Sequence, residues 1–394
     1  MTNKEIFENN LAQTKHSIFK LDIEKAEGVY VWDKAGKKYF DFLSGISVSN
    51  LGHRNPAIIK AINDQLAKYM HVMVYGEFIQ SPQIQLAKLL ADILPDKLQT
   101  SFFVNSGSEA IDGAIKLAKK YTKKNEIAVF KNAYHGSTLG AISLLSDEKY
   151  KKDFLPLIPD IRFLEFNNLN DLQIISDKTA CVIIEPIQAA SGIIMPENNF
   201  LKHLRNRCDQ TNSLLIFDEI QTGLGRTGKM FAFEHFNVIP DILVLAKGLG
   251  GGLPLGAFIS SKNIMSVFNQ EHPLEGHATT HGGNPVSCAA AIETISIISN
   301  TKTLLNVHEN FKILSEILQN SGKVKKIRGI GLFLAIELES FEHVKKTVLN
   351  GLKNGVLLNW FLFNNRSIFI APPLTINNSE TETAANLIIR SISL

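Results

Sequence analysis

The sequence predicts an α/β protein: a large part built on a mostly parallel sheet, and a smaller α+β part formed from both chain ends. Two observations predict it. From about residue 101, short apolar runs alternate with helix-length segments: SFFV at 101–104, EIAVF at 126–130, ACVIIE at 180–185, LLIFD at 214–218 and ILVLA at 242–246. These runs are continuously apolar rather than alternating, as in parallel strands covered on both faces. Beyond about residue 303 the order of helix and strand signals also changes, which marks a second packing unit.

The remaining elements follow in order. Residues 29–43, VYVWDKAGKKYFDFL, read as a hairpin around Asp33-Lys34-Ala35-Gly36. Helical periodicity covers 56–70 and 82–94. A long helix is expected from Asn284 to about Ile298, and another reaches about residue 320. A strand at 332–338, a helix at 341–353 and short strands beyond complete the chain. The expected division places the large domain at 55–300 and the small one at 1–54 with 301–394.

The chain has 394 residues, 45% hydrophobic and 20% charged, with a formal net charge of +3. That length suits about two domains. The near-neutral balance, without a dense basic block, argues against nucleic acid as a partner. No run approaches the roughly 20 apolar residues of a membrane span, and the opening MTNKEIFENNLAQTKHSIFK has no apolar core typical of a signal peptide. The three cysteines, Cys181, Cys208 and Cys288, are far apart. They suggest neither a disulfide framework nor a metal site, and fit a cytoplasmic protein.

Two motifs invite a nucleotide reading and fail it. Gly223-Leu224-Gly225-Arg226-Thr227-Gly228 matches the dinucleotide pattern, but Asp218 to Thr222 separate it from the strand and no helix opens at the glycines. With Lys229 the stretch approaches a P-loop, yet Met230 stands where a magnesium-binding hydroxyl belongs.

A better anion site follows the strand at 101–104. There Asn105-Ser106-Gly107-Ser108 lead into a helix with Ile111, Ala114, Ile115 and Ala118 on one face, and Ser106 and Glu109 have capping-box spacing. A helix start offers free N–H groups and positive potential to an anion. Asp218 ends one buried run and needs a partner. Lys247 follows the next, in ILVLAKGLGGGLPLGA, an expensive place for an ammonium group. Ligands of such sheets bind at the carboxyl ends of the strands. An acid, a lysine and an anion cradle at one crevice match pyridoxal phosphate, which needs a Schiff-base lysine, an acid at its ring nitrogen and a phosphate anchor.

Residues 218–257, DEIQTGLGRTGKMFAFEHFNVIPDILVLAKGLGGGLPLGA, resemble the signature of class III (ω-type) aminotransferases of fold type I. GISVSNLGHRNP (45–56), FVNSGSEA (103–110), YHGSTLG (134–140), EPIQ (185–188), THGGNP (280–285), IRGIGLFLAIEL (327–338) and APPLTI (371–376) fall in family order. The resemblance covers nearly the whole chain and is closest to acetylornithine and ornithine aminotransferases. It implies a seven-stranded-type sheet, a homodimer with shared sites, and amino transfer between an ω-amino compound and a 2-oxo acid.

Carried over by residue, the resemblance makes Lys247 the Schiff-base lysine and proton shuttle, and Asp218 the partner of the pyridinium nitrogen. Gln221 would bond the phenolic oxygen, and Ile220 and Tyr134 would flank the ring. Ser106, Gly107 and Ser108 would hold the phosphate, with His135 and Glu185 also at the cofactor. Thr279 and Thr280 complete the set, Thr280 reaching the partner subunit's phosphate.

Three positions depart from the family pattern. Ser137 stands where acetylornithine and ornithine enzymes usually carry an arginine that binds a substrate carboxylate. Ala190 replaces a gating glutamate, and Phe369 an arginine paired with it. Losing both members of that pair together avoids an unpaired buried charge, which would cost about 3–5 kcal/mol. Ser137 can hydrogen-bond a carboxylate but cannot clamp it in bidentate fashion. Arg366 is three residues from Phe369, so strand alternation turns it to the other face. The expected substrate pocket therefore differs from that of standard ornithine enzymes.

Overall fold

In the computed structural model, which describes residues 2–14, 19–74, 76–272 and 275–392, a seven-stranded sheet forms the centre. Its order is Thr100–Val104, Gly256–Ser260, Ile242–Leu245, Leu214–Asp218, Thr179–Ile184, Glu126–Phe130 and Ile161–Leu164. All pairings are parallel except those of Gly256–Ser260, which runs against both neighbours. Two of these strands escape the sequence reading. Ile161–Leu164 is an edge strand broken by exposed Arg162, and Gly256–Ser260 follows a glycine-rich turn.

The apolar runs are continuous because successive side chains enter two different cores. Ile127, Val129, Ile183, Ile216, Val244 and Phe258 pack with Ile111, Ala114, Ile115 and Ala118 of helix Gly107–Thr122. Ala128, Val182, Ile184, Leu215, Phe217, Leu243 and Leu245 face the other way. They meet Leu86 and Leu90 of Ser81–Ile93, Leu204 and Cys208 of Phe200–Thr211, and Ala291 and Ile295 of Pro285–Ile298. The last helix begins where expected, capped by the Asn284 side chain with proline next.

The chain ends share another core. Val29, Phe40 and Phe42 pack with residues from Val307 to Ile392. The hairpin strands Tyr30–Asp33 and Lys38–Asp41 pair antiparallel, and Val356–Leu357 adds to the second in parallel. A further sheet has the order Lys326–Gly329, Leu334–Glu337, Ser367–Ile370, Asn359–Trp360. Helix Asn378–Ser391, absent from the sequence reading, closes this core. Its polar sequence hides a buried stripe of Thr381, Ala384, Ala385 and Ile388, behind a capping box of Asn377 and Glu380.

Between these parts the chain makes a left-handed turn. Ser44, Gly45, Ile46 and Ser47 have φ of 47°, 60°, 65° and 62°, a conformation that costs an L-residue about 1–2 kcal/mol. It is fixed at its start, where Asp41 Oδ1 accepts from the Leu43 and Ser44 N–H groups at 2.9 Å each and Ser44 Oγ donates to Ala371 O at 2.8 Å.

Two-sided burial makes a distinctive prediction. Leu215→Ser and Ile216→Ser, adjacent on one strand, should both destabilise the protein by several kcal/mol, about 2–5 for the lost packing alone. Thermal unfolding midpoints of the two variants check this; a strand with one solvated face would tolerate one of them.

Candidate active site

Five parallel strands end at one cavity of about 490 Å³. Thr100–Val104 delivers Asn105, Ser106, Gly107 and Ser108. The loop after Glu126–Phe130 delivers Tyr134, His135 and Gly136. Thr179–Ile184 leads to Glu185, Leu214–Asp218 to Asp218, Ile220 and Gln221, and Ile242–Leu245 to Ala246 and Lys247. The crevice thus lies at the carboxyl ends of the strands, where such sheets bind ligands.

One end of the cavity is built for an anion. Ser106 caps a 16-residue helix, its Oγ accepting from Glu109 N at 3.2 Å. Only half of the expected capping box forms. Glu109 Oε2 reaches past the cap to Asn105, accepting from its N at 2.8 Å and its Nδ2 at 2.9 Å. The first N–H groups of the helix have no acceptor within it. The cradle is tight: a Cβ on Gly136, at φ +132°, would lie 2.1 Å from Ser108 Oγ.

The other end gathers charge. Asp218 is 4% exposed; its Oδ2 accepts from His135 Nδ1 at 2.7 Å and its Oδ1 from Ile220 N at 3.0 Å. Burial works against a charged His135, but its bond to Asp218 and the charges of Asp218 and Glu185 prevail and raise its pKa. Glu185 is buried, with Oε1 accepting from Tyr134 N at 3.2 Å and Oε2 from Ala189 N at 2.9 Å. Burial pushes its carboxyl up to about 7, although nearby His135 opposes the shift. Lys247 opens onto the cavity and is otherwise enclosed, and Nζ donates to Gln221 Oε1 at 3.4 Å. Enclosure lowers its pKa, against the pull of Asp218 and Glu185, so the free amine becomes more accessible.

Of the residues singled out in the sequence, Ser106, Gly107, Ser108, Tyr134, His135, Glu185, Asp218, Ile220, Gln221 and Lys247 line this one cavity. Ser137 stands at its edge, its Oγ 2.9 Å from Tyr134 Oη and its N–H donating to Ser108 Oγ. Four others do not line it. Thr279 sits behind Asn105, its Oγ1 accepting from Asn105 Nδ2 at 2.9 Å, and Thr280 is exposed. Ala190 lies in the 185–194 loop, where its carbonyl accepts from Phe363 N. Phe369 packs edge-on against Phe333 and Phe361 in an apolar cluster. Arg366 donates to Glu339 O at 3.1 Å and is exposed; it sits in the turn before strand Ser367–Ile370, whose residues are all buried, so its position outside the strand rather than alternation along it turns Arg366 to solvent. Val48, Gly252, Leu253, Pro254 and Leu255 also line the cavity; all five fall within residues 45–56 and 218–257, the stretches that carry the family resemblance.

The donor set suits pyridoxal phosphate: an enclosed amine, a buried carboxylate braced from behind and a helix start, all lining one cavity. Fold and site together define a pyridoxal-phosphate-dependent transferase. The aminotransferase class-III family model matches residues 11–392, and the chain belongs to that family. It is a pyridoxal-phosphate-dependent transaminase.

The acetylornithine aminotransferase of Clostridium acetobutylicum is 38% identical over 387 residues, 95% of this chain and 97% of that protein. The succinylornithine transaminase of Citrobacter koseri is 39% identical over 372 residues, 91% of this chain and 89% of its own. Among solved structures, an ornithine aminotransferase from Toxoplasma gondii, with partial occupancy of PLP at its active site, superposes with a TM-score of 0.91. It is 28% identical, covering 98% of this chain and 92% of that one.

The buried acids set a pH dependence. Burial raises Glu219, whose oxygens accept from Ala232 N and Phe233 N, to about 8. Glu185 and Glu219 then bind protons in the folded state that the unfolded state has released. Their contribution is full below about pH 4.5 and is lost as pH rises toward about 7 and about 8 respectively. Raised His135 acts in the same direction. Lowered His235 and Lys247 act in the opposite direction, so the readout is the difference between two proteins: in urea denaturation of the cofactor-free forms, wild-type stability should fall relative to that of Glu219→Gln as pH rises from about 5 to about 8.

Proposed function

We propose that this enzyme takes the amino group of an ω-amino donor of the acetylornithine or ornithine type and passes it to a 2-oxo acid in a ping-pong cycle. The observation that carries the reading is the convergence of Lys247, Gln221, Asp218 and His135 with the helix start at Ser106–Ser108 in the lining of one cavity. The curated relatives supply the donor type.

In this reading the N–H groups of Gly107 and Ser108, with Ser106, bind the phosphate. Asp218, oriented by His135 and Ile220 N, would face the ring nitrogen and hold a proton there. Tyr134 and Ile220 flank the ring, and Gln221 bonds its oxygen. When bound, pyridoxal phosphate supplies the electron sink that makes the donor's C–H acidic. The Lys247 amine, less basic through its enclosure, would take up that proton at Nζ and give it back. Glu185 braces the back of the site by fixing Tyr134 and Ala189 through their N–H groups.

We also infer a homodimer with shared sites, Thr280 of each subunit reaching the other's phosphate. In support, Thr280 is exposed beside Gly282 and Thr279, which border a hollow flanked by exposed Phe78 and Ile84. The cytoplasm is the proposed location. Its support is three buried free cysteines and, among the described residues, no helix long and apolar enough to cross a membrane.

One observation favours a second reading of the donor. Among the described residues lining the cavity, Lys247 is the only Lys or Arg. Ser137 and the Tyr134 hydroxyl stand at its edge, and Phe369 is in the aromatic cluster. A donor that has no carboxylate to clamp, such as a diamine, fits these walls better than acetylornithine, ornithine, lysine or 4-aminobutyrate, each of which carries one.

Mixing the holoenzyme with single donors, without acceptor, separates these readings. Loss of the cofactor's visible absorption with acetylornithine or ornithine supports the first, and loss with diamines alone supports the second. A racemase or epimerase would not accumulate the aminated cofactor with any donor. Lys247→Ala should abolish the visible band of the resting enzyme and lower turnover by about 10²–10⁴.

A further inference from the structure

The GLGRTG stretch at 223–228, which binds no nucleotide by the reading above, crosses between the large sheet and the C-terminal part of the chain. Its glycines serve close approach. A Cβ on Gly225 would lie 2.8 Å from Ile298 Cγ2 and 2.9 Å from Leu374 Cδ1, and one on Gly228 would lie 2.5 Å from His308 Cε1. Between them, Arg226 is 0% exposed. Among the described residues no carboxylate lies within ion-pair distance of it. Its Nη1 donates to Leu332 O at 2.9 Å and Pro372 O at 2.6 Å, and its Nη2 to Asn50 Oδ1 at 2.7 Å.

A buried guanidinium held only by neutral oxygens is a costly device for simple packing. Asn50 gives it a direction. The Asn50 amide donates to Leu224 O at 2.9 Å, and its backbone oxygen accepts from Leu374 N at 2.7 Å. It also lies against the backbone beside the lysine: a Cβ on Gly248 would be 2.7 Å from Asn50 Nδ2. Lys247, next to Gly248, has φ +43°. For a residue with a side chain that conformation persists only when its surroundings impose it.

We propose that Arg226 and Asn50 are positioning residues for Lys247: the buried guanidinium fixes the Asn50 amide against Gly248, and that contact keeps the adjoining lysine in its left-handed conformation with Nζ at Gln221. The inference rests on Lys247 as the residue that carries the cofactor. It gives the glycine-rich motif a task in this enzyme: the same loop that ties the two halves of the chain together sets the aim of the reacting amine.

The test compares holoenzymes of the wild type, Asn50→Ala, Arg226→Lys and His308→Ala. His308 holds the same loop, 2.9 Å from Gly228 O, while the side chain packed on Gly248 is that of Asn50, so the His308 variant isolates loss of stability. For each protein, the pH midpoint of the visible band, kcat and KM for one donor, and the thermal midpoint are measured. Asn50→Ala and Arg226→Lys should shift the spectroscopic midpoint by about half a pH unit or more. They should also lower kcat by about 10²-fold with KM nearly unchanged. His308→Ala should lower the thermal midpoint without either effect. If Asn50→Ala and Arg226→Lys behave like His308→Ala, the proposal is overturned. Should Arg226→Lys not fold, Asn50→Ala decides alone, since it removes the contact with Gly248 directly. A visible band retained by Lys247→Ala would instead overturn the assignment of the lysine, because that variant leaves Asn50 and Arg226 in place.

Discussion

The enclosure of one amine at the end of an apolar strand is the constraint around which this structure is organised. Ile242–Leu245 is buried on both faces, so the chain emerges from it with no polar surface to accept an ammonium group. Two residues on, Lys247 opens only to the cavity. Burial lowers its pKa while Asp218 and Glu185 pull the other way. This balance keeps the amine available for covalent chemistry without ejecting it from the site. Bonding to an aldehyde then removes most of the conflict, because the group need no longer be a free buried cation.

The sheet makes that position possible. With helices on both faces, polar side chains have no place along the strands and collect where strands end. Asp218, Glu185, Ser106 and Lys247 therefore converge from segments far apart in sequence. The acids differ because their partners differ. Asp218 receives an imidazole N–H and a backbone N–H, whereas Glu185 receives only backbone N–H groups, and burial drives its pKa up to about 7. The two neighbouring carboxyls thus take different roles, Asp218 held by an imidazole at the cavity and Glu185 bracing its wall through backbone N–H groups.

Legibility in the sequence followed the range of the interaction. Lys247 and Asp218 stood out because a charged residue at the end of an apolar run conflicts with its local surroundings, and the anion cradle because caps are local signals. Strands with unbroken apolar character were equally visible. Ile161–Leu164 and Gly256–Ser260 were not, since an edge strand carries a weaker pattern and the other is preceded by turn residues. The partnership of His135 with Asp218 spans 83 positions, and no local pattern encodes it; the family resemblance placed His135 near the cofactor without naming its partner. The resemblance likewise marked Ala190 and Phe369 as substrate positions. Within this chain the one is on a loop and the other in an aromatic cluster, both outside the cavity lining.

Arg226 shows why a motif can be conspicuous and still be misread. Glycines at fixed spacing report that backbone must pass close to something, and sequence alone does not say whether that is a phosphate or another part of the same protein. Here Gly225 approaches Ile298 and Leu374, Gly228 approaches His308, and the arginine between them spends its donors on Leu332, Pro372 and Asn50. All of these partners lie outside the motif, in segments that are themselves in contact with the sheet or with the C-terminal core. A loop so constrained cannot move independently of either half. The conformation of Lys247 is therefore tied to how the two halves are packed, and the reactivity of the amine depends on contacts well beyond the cavity it faces.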